Sequence, residues 1–161
     1  MKREFLKGFT MLVLVVTLAL TLAVVSANGQ STANKVVANV PFEFSVGYKM
    51  LPAGDYSVQS IVSAGNGLLI QSTDGKISAL RLSEATRQIK ERTKARLVFH
   101  RYGQRYFLAE VWNGVDNAGR QLTKSQEERA LASELMLASA KENAHAGNDL
   151  YEIVEVVAIL R

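Results

Sequence analysis

From Val36 to Val46 the apolar residues Val36, Ala38, Val40, Phe42, Phe44 and Val46 fall two apart, with Asn39, Pro41, Glu43 and Ser45 between them. A period of two predicts a strand with one wet face. Pro41 has no N–H to donate, which marks an edge strand or a bulge. Leu51-Pro52-Ala53-Gly54 reads as a turn. After it, Tyr56, Val58, Ser60 and Val62 share one face of a second strand, and Ala64-Gly65-Asn66-Gly67 turns the chain again. Residues 67–73 and 76–82 predict a hairpin closed by Asp74-Gly75, a two-residue turn of the I′ kind. Its register pairs Ile70 with Ala79 and Leu69 with Leu80. Residues 83–94 hold Glu84, Arg87, Lys90, Glu91, Arg92 and Lys94 and read as a mobile loop or a short helical turn.

The clearest hairpin is 95–102 with 105–112, because Gly103-Gln104 puts glycine first in a two-residue loop, as a II′ turn requires. That register opposes Tyr102 to Arg105, His100 to Phe107, Val98 to Ala109 and Arg96 to Val111. On the other face Phe99 meets Leu108 and Leu97 meets Glu110. Both faces are largely apolar in the middle, which predicts a central hairpin covered on both sides. Asn113-Gly114 and Asn117-Ala118-Gly119 break the pattern. A helix over about 125–143 follows. Ser125 and Glu128 fit a capping box, and Leu131, Leu135 and Ala138 form an apolar stripe. Residues 150–160 are β-branched and close the chain as a strand. Seven strands within 36–112 and 150–160, plus one C-terminal amphipathic helix, predict a mainly β fold: an antiparallel sandwich or a partly open barrel.

The first 27 residues belong to none of this. Lys2, Arg3 and Lys7 precede an apolar run from Met11 to Val25, and Val25-Ser26-Ala27 ends it with small residues. The series predicts a signal peptide cut after Ala27 and a single exported domain over 28–161, periplasmic or extracellular. An uncleaved membrane anchor is the alternative, since Gly8 to Ala27 nearly reaches spanning length. The chain has 161 residues, 48% of them hydrophobic and 21% charged, enough for one domain with a real core. It contains no cysteine, which excludes disulfides, thiolate metal sites and cysteine nucleophiles. Of the formal charge of +4, residues 1–27 carry a net +2, leaving +2 for the rest. That is too little to argue for a nucleic-acid partner.

Four stretches occur in order: Val40-Pro-Phe-Glu-Phe-Ser-Val-Gly47, Leu51-Pro-Ala-Gly-Asp-Tyr-Ser-Val58, Leu97-Val-Phe-His-Arg-Tyr-Gly-Gln-Arg-Tyr-Phe-Leu108 and Gly119-Arg-Gln-Leu-Thr-Lys-Ser125. In combination they resemble an uncharacterised family of small exported bacterial β proteins, over about Val36 to Arg129. The resemblance implies export and a compact β domain. It carries no activity, ligand or site residues, and the segment from His145 onward lies outside it.

Several groups carry chemistry in principle. His100 and His145 are the only histidines, and neither has another ligand-type residue at a metal-site spacing. His100, in mid-strand opposite Phe107, reads as a packed or hydrogen-bonded side chain. Glu43, Asp55, Glu110, Glu152 and Glu155 are the carboxylates from which a two-carboxylate hydrolase would draw. Glu110 is the odd one, opposite Leu97 on a covered face. Arg96, His100, Arg101, Tyr102, Arg105 and Tyr106 interleave base and aromatic, but the hairpin register divides them between two faces. No nucleic acid is expected there; an anionic polysaccharide or another envelope component suits the compartment better. Gly54, Gly65 and Gly67 are turn glycines, with no helix behind them to form a phosphate loop. No catalytic, metal-binding or cofactor-binding residue is assigned. The expectation is an exported, non-catalytic binding or structural module, with a hollow-barrel carrier of small apolar ligands and a carboxylate-dependent hydrolase as alternatives.

Overall fold

Apolar residues two apart, punctuated by turn residues, make strands almost throughout. The computed structural model describes residues 35–61, 66–87, 94–115, 118–141 and 150–161. The expected leader, His145 and half of the expected charged loop lie outside them. In chain order the elements are β1 (Val36–Val40), β2 (Phe44–Val46), β3 (Lys49–Leu51), β4 (Gly54–Ser60), β5 (Gly67–Ser72) and β6 (Ser78–Arg87). Then come β7 (Arg96–Tyr102), β8 (Arg105–Trp112), β9 (Ala118–Leu122), α1 (Gln126–Lys141), β10 (Glu152–Val157) and β11 (Ile159–Leu160). Among the described residues the fold is mainly β with one helix, as the periodicity predicts.

The strands pair in the order β10-β7-β8-β9-β6-β5-β4-β1-β11, with β2 joining β3 and β8. Two stretches of chain turn corners. The first half of β6, to Leu82, pairs with β5, and its second half, from Ser83, pairs with β9. β10 pairs with β7 and β11 with β1, although only Ala158 separates them. The ladder's two outermost strands are thus consecutive pieces of one chain, and the sheet stays open, consistent with the expected sandwich or partly open barrel.

Its interior is packed. Val36, Ala38 and Val40 of β1 face inward together with Tyr56, Val58, Leu68, Ile70, Leu97, Phe99 and Leu108. Phe44 meets Tyr56 and Phe99 edge to face, with ring centres 5.1 and 5.3 Å apart. Phe42 meets Phe99 in the same way at 5.2 Å. Such tilted contacts suit the ring quadrupole. The hydroxyl of Tyr56 donates to the Pro52 carbonyl at 2.8 Å, so the buried phenol is satisfied.

Four expectations are corrected. Pro41 does not kink one strand but ends β1, and Phe44–Val46 starts again beside β8 in parallel. Residues 83–87 are strand rather than loop, because β9 supplies their ladder. β9 itself occupies 118–122, where glycine and asparagine suggest only a break. The central hairpin keeps its expected register from Tyr102–Arg105 to Phe99–Leu108, with Gly103 at φ +61°. There Ala109 is an extra residue, a bulge, after which Val98 faces Glu110, Leu97 faces Val111 and Arg96 faces Trp112.

Candidate functional site

The bulge at Ala109 explains Glu110. One extra residue exchanges the faces of everything beyond it. Val111 therefore joins Leu97 in the core, and Glu110 comes out to the opposite surface of the sheet. There the Trp112 indole N–H donates to Glu110 Oε2 at 2.8 Å. The Arg96 guanidinium lies 5.0 Å from the Trp112 ring centre and its Nε 3.4 Å from Glu155 Oε1.

Further along the same face, α1 begins. Ser125 is its N-cap, with Oγ accepting the Glu128 N–H at 3.1 Å. The Glu128 carboxylate points at the sheet and is buried. His100 Nδ1 is 2.8 Å from its Oε1, and the Tyr102 hydroxyl donates to the same oxygen at 3.3 Å. With a carboxylate opposite, Nδ1 is the donor of the pair. The Tyr151 ring covers the group, 4.1 Å from the His100 ring and 5.4 Å from the Tyr102 ring, and Lys124 lies over Tyr151 at 4.8 Å. Burial, reinforced by the nearby Glu128 charge, pushes the Tyr102 phenol well above its ordinary value of 10.0. Glu128, read from sequence as half of a capping box, thus clamps the helix start to β7. Nothing in the spacing of residues 100 and 128 announces that contact.

The other candidates scatter. Arg101 pairs with Glu152 at 3.0 Å across β7 and β10, and Arg105 pairs with Glu127 of α1. Asp55 accepts from the Asn39 side-chain amide at 2.8 Å, and Glu43 is exposed beyond β1. Tyr106 stacks on Phe42. The mixed basic and aromatic set is divided between two faces, as its register requires. Among the described residues no cluster of histidine and carboxylate groups has a metal-binding arrangement.

Surface depressions are also lined by described residues. One, of about 280 Å³ at an end of the barrel, is walled by Val36, Val58, Leu68 and Val111, with Asn113 and Arg120 also lining it. Another, of about 450 Å³, lies between the Pro52–Tyr56 turn and the Asp74 hairpin. The third, of about 420 Å³, is lined by Tyr48, Ile61, Gly67, Leu80, Arg81, Leu82 and Thr123, where β6 turns its corner. The sequence pairing of Leu69 with Leu80 contained the signal for this third site. Ile70 and Ala79 are the core pair, so Leu80 faces out.

Compared with protein-family models, curated proteins and solved structures, the chain matches none of them.

Proposed function

We propose that the chain is an exported, non-catalytic binding module acting in the cell envelope or extracellular space. The observation that supports this reading is apolar surface turned to solvent around the β6 corner. Leu82 is 75% exposed, Tyr48 87% and Leu80 59%, with Ile61 also exposed. Apolar side chains that line one surface depression mark interaction surface better than scattered ones. The charged leader of residues 2–7 and its apolar run support export.

The alternatives draw less support. A hollow carrier fits poorly with an interior filled by the rings of Phe44, Tyr56 and Phe99. The barrel-end depression of about 280 Å³ is small for a ligand chamber. The carboxylates a hydrolase would use are engaged elsewhere: Glu110 with Trp112, Glu152 with Arg101 and Glu155 with Arg96.

The test is capture. Mature protein immobilised against envelope extract, with mass spectrometry of bound proteins and small molecules, is compared with the double variant Leu80→Ser/Leu82→Ser. The expected result is a component enriched by the native chain and lost by the variant at unchanged melting temperature. Equal capture by both proteins overturns the proposed surface.

A further inference from the structure

Alternate residues of β9 face the core, and one of them is an arginine. Arg120 lies between Val111 and Ala85 in the ladder, so its side chain leaves β9 on the same face as the buried Val111. Two residues on, Leu122 is buried on that face. A cation at a core-facing position ordinarily has a carboxylate partner. Arg96, Arg101 and Arg105 each pair with a glutamate, whereas Arg120 has no carboxylate partner among the described residues. It is half-buried. A break in the alternation with no structural partner to offset it points to a ligand.

Arg120 lines the depression of about 280 Å³ together with Val111 and Ala85, its two ladder neighbours. The rest of the apolar lining is Val36, Val58 and Leu68, from β1, β4 and β5. These three also face inward: Val36 is opposite Val58, Val58 is opposite Ile70, and all belong to the core. The cation and the apolar groups therefore turn toward one volume, and a single molecule can touch both. Asn113 lines the same space. Its Oδ1 accepts the Val115 N–H at 3.1 Å, which leaves Nδ2 as a donor. No carboxylate is among the described residues that line the depression, so none competes there for the guanidinium.

We propose that this depression binds a compact apolar monocarboxylate, an acid with a branched or aromatic body. The volume sets the size. At about 30 Å³ for each water displaced, 280 Å³ corresponds to about nine waters. That is too little for a lipid chain or an interior chamber, and enough for a molecule the size of benzoate. Arg120 sets the head group. A guanidinium offers a carboxylate two parallel N–H donors, and a half-buried setting strengthens that pair relative to water. The inward valines and Leu68 set the body, because they gain by being covered. One lining cation suits one negative charge. The site is separate from the apolar surface at the β6 corner, and the two stand or fall independently.

The test titrates methyl-labelled protein by NMR with benzoate, with benzamide as the neutral isostere and with acetate as the head group alone. Benzoate should bind at least about tenfold more tightly than either control. Its ring protons should show contacts to the methyls of Val36, Val58, Leu68 or Val111. Arg120→Met keeps the stem and removes the charge, so it should bring benzoate down to the level of benzamide and leave benzamide unchanged. Arg120→Lys should retain part of the preference. Ala85→Glu places a carboxylate directly across the ladder from Arg120 at an exposed position. It should abolish the preference for benzoate without lowering the melting temperature, which keeps the test decisive should Arg120→Met fail to fold. The Leu80→Ser/Leu82→Ser protein should bind benzoate as the native chain does, so failure of the β6 surface in the capture experiment leaves this site standing. Absence of benzoate binding, equal binding of benzoate and benzamide, ring contacts elsewhere on the protein, or undiminished benzoate binding by a folded Arg120→Met or Ala85→Glu protein overturns the proposal.

Discussion

At the scale of single residues, the Glu128 carboxylate is the most consequential polar group described. It receives His100 and Tyr102 in a buried site, so its loss leaves two donors without an acceptor. Glu128→Ala should lower stability by about 2–4 kcal/mol in urea denaturation. A loss below about 0.5 kcal/mol would show that the clamp does not hold the helix. The Tyr102 phenol gives this site a pH signature. Its affinity for the proton is raised in the folded state, so the neutral form is what folding favours. The stabilisation is complete below the ordinary tyrosine value of 10.0 and is lost as pH rises above it, at up to about 1.4 kcal/mol per pH unit. Tyr56 is raised too, mainly by burial, and adds to the same alkaline loss. Stability measured from pH 9 upward should therefore fall, and Tyr102→Phe should flatten the fall without removing it. An identical alkaline slope in the variant would place that phenol in water.

At the scale of elements, β9 depends on a glycine. The Trp112 indole lies so close over Gly119 that an added β-carbon would come within 2.6 Å of its ring. Indole and backbone are both buried, so neither side has room to yield. Gly119→Ala should cost about 1–3 kcal/mol by overpacking. Its denaturation can be followed through Trp112 itself, the only tryptophan in the chain; an unaltered midpoint would mean that the ring moves freely. The same pair shows what the sequence could tell. The alternation in 36–40 and 54–60, the Gly103-Gln104 turn and the Ser125 cap specify local geometry and appear where local patterning puts them, whereas the Asp74-Gly75 hairpin keeps its register but closes through a four-residue loop, 73–76, between Ser72 and Ile77. β9 and the Ala109 bulge do not appear that way, because a strand containing glycine is held by its neighbours and a bulge is a choice between two registers that both bury leucine. The helix is intermediate. Its place is legible, but the Leu131, Leu135 and Ala138 stripe is not a fully docked face: Leu131 is half-buried, whereas Leu135, Met136 and Leu137 are exposed. Contact is concentrated at the first turns, where Glu128 reaches the sheet. Leu131→Asp should accordingly cost about 1–2 kcal/mol, and Leu137→Asp should stay within about 0.5 kcal/mol of the native protein. Equal losses in thermal melts would mean that the whole length packs.

At the scale of the whole molecule, the last ten residues hold the barrel together. A sheet that wraps without closing leaves two edges, each a row of unpaired N–H and C=O groups. Here one bent stretch of chain covers both: β10 lies along β7, β11 lies along β1, and the Ala158 N–H donates to the Ala95 carbonyl at 2.9 Å where the chain turns. Lys35 and Arg161 exchange two backbone hydrogen bonds, of 3.0 and 2.7 Å, just beyond the end of β11. This arrangement separates two truncations that sequence position alone would treat alike. Ending the chain at Ala158 removes β11 and both bonds to Lys35 but leaves β10 on β7 and the core rings covered. The lost backbone bonds, at about 0.5–1.5 kcal/mol each, and the half-buried Leu160 side chain together put the loss at about 2–4 kcal/mol. The freed edge of β1 should also promote self-association, visible by sedimentation as a concentration-dependent increase in mass. Ending the chain at Tyr151 strips β10 as well. Val154 and Val156, opposite Phe99 and Leu97, then leave the core, and His100, Phe99 and Leu97 lose their neighbouring strand. That shorter chain should show no cooperative unfolding transition. If it unfolded as cooperatively as the Ala158 truncation, β10 would be an accessory to the barrel, and the strands from β1 to β9 would suffice for the fold.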